Sequence, residues 1–165
     1  MTSPNHLVLR RIVEADWPGL AQFDLGSANT PWVREVAEIV EMLPRWQADP
    51  AFTAFDRRAL ALVENGQIVA VAAHEATQTT RGTTDLRNRY LMVVAVRFDR
   101  QRSGLAELVM KSVFVALKAN GTESVKWLAH PRNVQSIALS RSKFPEADET
   151  NPPEDQPYVA FTLWL

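Results

Sequence analysis

The chain has 165 residues, enough for one domain built on one core. Its 46% hydrophobic and 22% charged residues are the balance of a folded globular protein, and a net charge of -1 excludes a global field that would draw it to nucleic acid or an anionic membrane. With no cysteine, a disulfide framework, a thiolate zinc site and a cysteine nucleophile are all excluded.

Residues 1–6 are polar and lack the apolar stretch of a signal peptide, and no run approaches the roughly 18 apolar residues of a membrane span. A cytoplasmic protein with no membrane or nucleic-acid partner is expected. Leu7-Val8-Leu9-Arg10-Arg11-Ile12-Val13 is a β-prone run, and Asp16-Trp17-Pro18 then opens a helix to about Leu25, with the acid as N-cap and the proline in the first turn. After the breakers of residues 26–31, Val33, Val36, Ala37, Val40 and Leu43 recur at helical spacing until Pro44, where this second helix is expected to break.

Residues 59–64 and 67–74 flank Asn65-Gly66, a pair that supplies the positive φ angles of a two-residue hairpin turn. The polar residues 77–88 carry no apolar period and read as an exposed loop. Tyr90-Leu91-Met92-Val93-Val94-Ala95-Val96 is too uniformly apolar for a strand wet on one face, so it belongs at the centre of a sheet. Residues 104–120 then follow a helical face, and residues 124–129 form a strand that can return parallel to the central one by a right-handed crossover. A helix over 133–142, a proline-rich acidic loop over 144–157 and an alternating terminal strand over 158–164 complete the reading.

The informative junction is where the central strand ends and the helix begins. A helix N-terminus there offers free N–H groups and partial positive charge, Gly104 removes the Cβ that would keep a phosphate away, and Arg100 and Arg102 add mobile positive charge. Gln101-Arg102-Ser103-Gly104-Leu105-Ala106 resembles the signature Gln/Arg-x-x-Gly-x-Gly/Ala of the GNAT acetyltransferase superfamily, and the order of elements over most of the chain is similar to the GNAT fold.

The resemblance implies an α/β fold with a mixed, mostly antiparallel sheet flanked by helices, and acyl-CoA bound between splayed fourth and fifth strands. It implies that backbone amides of Gln101, Arg102, Ser103, Gly104, Leu105 and Ala106 hold the pyrophosphate of acetyl-CoA. A bulge in the preceding strand would offer Val94 and Val96 to the pantetheine arm. Asn133-Val134-Gln135-Ser136-Ile137-Ala138-Leu139-Ser140 resembles the family segment Asn-x-x-Ala-x-x-Leu-Tyr, so Asn133 takes the place of the cofactor-contacting asparagine. Ser140 stands where family members carry the tyrosine that protonates the departing thiolate, although a serine is a weaker acid with a shorter reach.

The reaction implied is direct transfer of acetyl from acetyl-CoA to a primary amine in a ternary complex, without a metal. An alkyl ammonium must first lose a proton, yet residues 90–96 carry no carboxylate where the family often places its base. Glu75, then His74, are the candidates at the end of the neighbouring strand, and alternation sends the two to opposite faces. Each also reads as an ordinary strand-end residue. Trp32 and Trp46 lie on the helix that borders the acceptor cleft in this family. The acceptor is a small-molecule or peptide amine, a homodimer through the terminal strand is expected, and the competing reading is an acyl-CoA-binding protein without turnover.

Overall fold

A computed structural model describes residues 6–26, 30–48, 55–79, 81–151 and 158–165. The elements are β1 (Leu7–Arg11), α1 (Trp17–Ala21), α2 (Pro31–Ala48), β2 (Arg58–Glu64), β3 (Gln67–Gln78), β4 (Thr84–Val96), α3 (Leu105–Ala119), β5 (Ser124–Ala129), α4 (Val134–Lys143), β6 (Asp148–Thr150) and β7 (Val159–Trp164). Seven strands form one sheet in the order β1-β2-β3-β4-β5-β7-β6. Every neighbouring pair is antiparallel except β4 and β5, the pair joined by the α3 crossover.

Two apolar layers hold the helices on opposite faces. On one face Val109, Val113 and Phe114 of α3 pack with Ala70 and Ala72 of β3, Leu91 of β4 and Val125 and Trp127 of β5. On the other, Leu20 of α1 and Val40, Leu43 and Trp46 of α2 cover Val71, Ala73, Val93 and Ala95. β3 and β4 are thus covered on both sides over residues 70–73 and 91–95, as the unbroken apolar run of β4 requires. Asn65 and Gly66 take φ angles of 50° and 80° and turn β2 into β3, as the Asn-Gly pair predicts.

Several sequence expectations change, among them the end of α1, which comes at Ala21 and not near Leu25. α2 does not stop at Pro44 but runs on to Ala48. The proline forgoes one backbone hydrogen bond near the end of the helix, while the flanking Leu43 and Trp46 are buried, and that burial offsets the loss. Residues 77–88 are not one loop, since β3 continues to Gln78 and β4 begins at Thr84, so polar side chains ride on paired backbone. The segment expected as loop over 144–157 contains the three-residue β6, and its residues 152–157 lie outside the described residues. β6 pairs with Ala160–Thr162 of β7, so over those residues the terminal strand is not the free sheet edge that the dimer expectation supposed. Among the described residues no helix is long and apolar enough to cross a membrane.

Candidate functional site

The sheet opens where β4 and β5 part. Their parallel pairing runs from Asn88↔Ser124 to Leu91↔Trp127 and ends there, leaving residues 92–96 of β4 without a partner on that side. On its other side β4 carries one extra residue, because Leu91 pairs with His74 and Val93 with Ala73, so Met92 forms a bulge at the point of parting. A bulge adds local twist, which turns the rest of β4 away from β5.

Arg97 N donates to Val69 O at 2.9 Å, so the backbone groups of residue 97 face β3. Alternation then turns the peptide groups of Val96 and Val94 the other way, into the opening. Both side chains are half-buried. One of the outward carbonyls, Val96 O, accepts from Gln101 Nε2 at 3.2 Å, which ties the end of the strand to the loop that follows.

Ser103 Oγ donates to Arg100 O, and the chain enters α3 through Arg102 and Gly104, both left-handed at φ 61° and 79°. A non-glycine residue in that region costs about 1 kcal/mol or more, a strain typical of functional loops. Among the described residues no side chain caps the α3 N-terminus, and a Cβ built on Gly104 would meet no atom within 4 Å beyond its own chain neighbours. The free N–H groups of the first turn therefore face open space beside the β4–β5 opening, where they suit a phosphate. Arg102 is exposed and makes no ion pair among the described residues, whereas Arg100, expected as mobile charge, is engaged by Glu64. Leu105 turns inward to the core and Ala106 is half-buried.

Asn133 is the N-cap of α4, its Oδ1 accepting from Ser136 N at 3.2 Å, which leaves its NH2 without a partner among the described residues. Ser140 is turned into the core. It is 1% exposed, donates to Ser136 O at 3.0 Å and accepts from Trp127 Nε1 at 2.9 Å. Its one proton and its accessible lone pair are committed inside the core, so the assignment of Ser140 as an acid is corrected to a structural role.

The alternation that separates His74 from Glu75 now has a phase. His74 lies opposite Leu91 on the α3 side, is buried, and takes a hydrogen bond from Arg89 Nη2 at its Nδ1, 2.8 Å away. A guanidinium only donates, so Nδ1 accepts and the ring is neutral with its proton on Nε2. Burial first, and then the Arg89 charge, push its pKa down to about 4. Arg89 in turn holds Asp56 through Nη1 at 2.7 Å. His74 is a member of this buried network, and its candidacy as a base is corrected on that ground.

Glu75 faces the α2 side, opposite Tyr90, and with Tyr90, Phe55, Lys126 and Leu128 it lines a cleft of about 390 Å³. Its carboxylate is engaged by Arg57, whose guanidinium lies 4.8 Å over the ring of Trp46. Burial, then the charges of Glu75 and Glu35, push the Tyr90 hydroxyl above its ordinary pKa.

Sequence reasoning missed a set of contacts that reach from α2 to the segments after β5 and before β7. Trp32 packs on His130 with ring centroids 5.0 Å apart, His130 meets Tyr158 edge-on at 6.0 Å, and Tyr158 donates to Glu35 Oε1 at 2.8 Å. These contacts join α2 to the ends of β5 and β7 across the sheet opening. Only Trp32 carried a signal, its place on α2. Tyr158 follows the proline-rich segment and lies more than a hundred residues from Glu35, so no local pattern links them.

A family model described as the acetyltransferase (GNAT) family matches residues 17–144. No curated protein matches the chain by sequence. Among solved structures, the GNAT domain of S. lividans PAT is similar at TM-score 0.72 and 18% identity, over 95% of this chain and 89% of that one. The ribosomal-protein-S18-alanine N-acetyltransferase from Escherichia coli gives TM-score 0.65 at 18% identity, over 95% and 91%. The PaiA N-acetyltransferase from Thermoplasma acidophilum, solved in complex with coenzyme A, gives 0.70 at 9%, over 97% and 99%. At these identities the likeness is one of fold.

Proposed function

The chain belongs to the GNAT acetyltransferase family, and from that premise we propose that it is a cytoplasmic enzyme transferring acetyl from acetyl-CoA to a primary amine by direct attack in a ternary complex. The observation that carries this reading is the uncapped α3 N-terminus at Gly104, set beside the opening between β4 and β5. The amides of residues 102–106 suit the pyrophosphate, with Arg102 adding charge at the rim. Gln101 holds the loop against Val96, and the outward peptide groups of Val94 and Val96 suit the amide-rich pantetheine arm. Asn133 offers its free NH2 to the same arm.

In the reaction the amine nitrogen attacks the acetyl carbonyl carbon. The new C–N bond forms, the C–S bond breaks, the amine gives up a proton and the departing thiolate gains one. Backbone N–H groups at the opening would stabilise charge developing on the carbonyl oxygen. The acceptor enters from the α2 face, where Glu75 and Tyr90 lie, and is a small-molecule or peptide amine. A dimer, if formed, would use a surface other than Ala160–Thr162 of β7, such as the exposed β6 edge.

The test is release of free thiol from acetyl-CoA with a panel of amines, with mass measurement of each product amine. Transfer appears as thiol release matched by one added acetyl. A second reading, an acyl-CoA-binding protein without turnover, is favoured by the engagement of His74 and Ser140 in buried hydrogen bonds. Binding of acetyl-CoA with no thiol release for any amine would select it.

A further inference from the structure

Transfer to an alkyl ammonium needs a group that takes its proton, and the residues around the opening are nearly all committed. β4 has no carboxylate over residues 90–96. Glu75 would have to break its ion pair with Arg57, and His74 sits on the opposite face with Nδ1 occupied.

Glu35 on α2 is a carboxylate that no cation holds among the described residues. Glu35 is exposed on the first part of α2, and its Oε1 takes a single neutral hydrogen bond from Tyr158. It makes no ion pair among the described residues. Its partner Tyr158 meets His130, which follows β5 just beyond the point where β4 and β5 part. Tyr158 itself is held by His130 and, through it, by Trp32, so the phenol is a fixed strut that aims the carboxylate.

The geometry points to Glu35 as the base that receives the acceptor's ammonium and takes its proton, with Tyr158 as its positioning residue. This rests on the transferase reading above and names the proton route within it. The ammonium N–H bond breaks and its proton passes to the Glu35 carboxylate, the freed electron pair attacks the acetyl carbon, the thiolate leaves and takes the proton from protonated Glu35, and the acylated nitrogen releases its second proton to solvent. Protons and charge balance over the cycle. The other groups facing Glu35 are the hydroxyls of Tyr158 and Tyr90, with Glu75, His130 and Lys126 nearby on the same side of the sheet. Of these, only Glu75 is a carboxylate.

The experiment compares the parent with Glu35→Gln, which keeps an oxygen for the Tyr158 hydroxyl, and with Tyr158→Phe. Thiol release at pH 7 is measured with an alanine-initiated peptide, L-lysine and spermidine, which are mainly ammonium ions, and with hydroxylamine, which is already neutral. Glu35→Gln is expected to lower kcat/KM about 100-fold for the responding ammonium acceptor, the size of a lost general base, with little change for hydroxylamine. Tyr158→Phe is expected to lose less. Acetyl-CoA affinity and melting temperature should stay at the parent values. Equal losses for ammonium and neutral acceptors, or no loss for either, overturn the assignment of Glu35. A parent that binds no acetyl-CoA, or releases no thiol even with hydroxylamine, rejects the transferase reading itself.

Discussion

Trp127 Nε1 donates to the Ser140 hydroxyl at 2.9 Å, tying the centre of β5 to the inner face of α4. The indole also stacks on Phe161 at 5.5 Å and meets Phe144 edge-on at 5.7 Å, so this hydrogen bond orients the largest side chain in an aromatic cluster. Ser140→Ala leaves the buried N–H unpaired, which costs about 1–3 kcal/mol. The expected outcome is a melting temperature lower by roughly 2–10 °C with kcat close to the parent value. Loss of kcat at unchanged stability would return Ser140 to the chemistry.

His74 makes stability depend on pH. Its folded-state pKa of about 4 lies below the ordinary 6.5, so in that interval the unfolded chain binds a proton that the folded chain refuses. Stability from this residue is therefore full above pH 6.5 and is lost as pH falls toward 4, by about 3 kcal/mol in all. His74→Gln keeps an acceptor for Arg89 but does not titrate. Urea unfolding between pH 7 and 4.5 should show a shallower loss in the variant, and parallel curves would contradict the assigned protonation state.

Asn133 caps α4 and is proposed to contact the cofactor arm, and one pair of substitutions separates the two roles. Asn133→Asp keeps the oxygen that caps α4 and removes the NH2, while Asn133→Ala removes both. The aspartate variant should melt near the parent and bind acetyl-CoA more weakly. The alanine variant should lose about 1 kcal/mol of stability as well. Parent-like affinity in both would confine Asn133 to capping.

The order of elements along the chain and the turn into α3 were legible because their signals are local. Asn65-Gly66 specifies a turn, the apolar run of β4 specifies a doubly covered strand, and Gly104 marks the turn into α3. The acceptor side was not legible, because it depends on which face each residue takes. His74 and Glu75 are adjacent in sequence yet serve a buried network and a cleft, and the bulges in the sheet make the phase unreadable from the pattern alone. The Tyr158–Glu35 contact spans 123 positions between an exposed helix residue and a residue after a proline-rich segment, and neither carries a motif. Pro44 misled for a related reason, since burial of the residues around it is a tertiary fact.

The central claim is that the α3 N-terminus holds the pyrophosphate of acetyl-CoA, and calorimetric titration of the parent and of Gly104→Glu tests it most directly. The new side chain would enter space free of protein atoms, at the cost of a strained φ of +79°, and would place a carboxylate where the phosphates belong. The prediction is saturable binding by the parent and none by a variant shown by its melting curve to be folded. Equal affinity in the two proteins, or no binding by the parent, would contradict the claim.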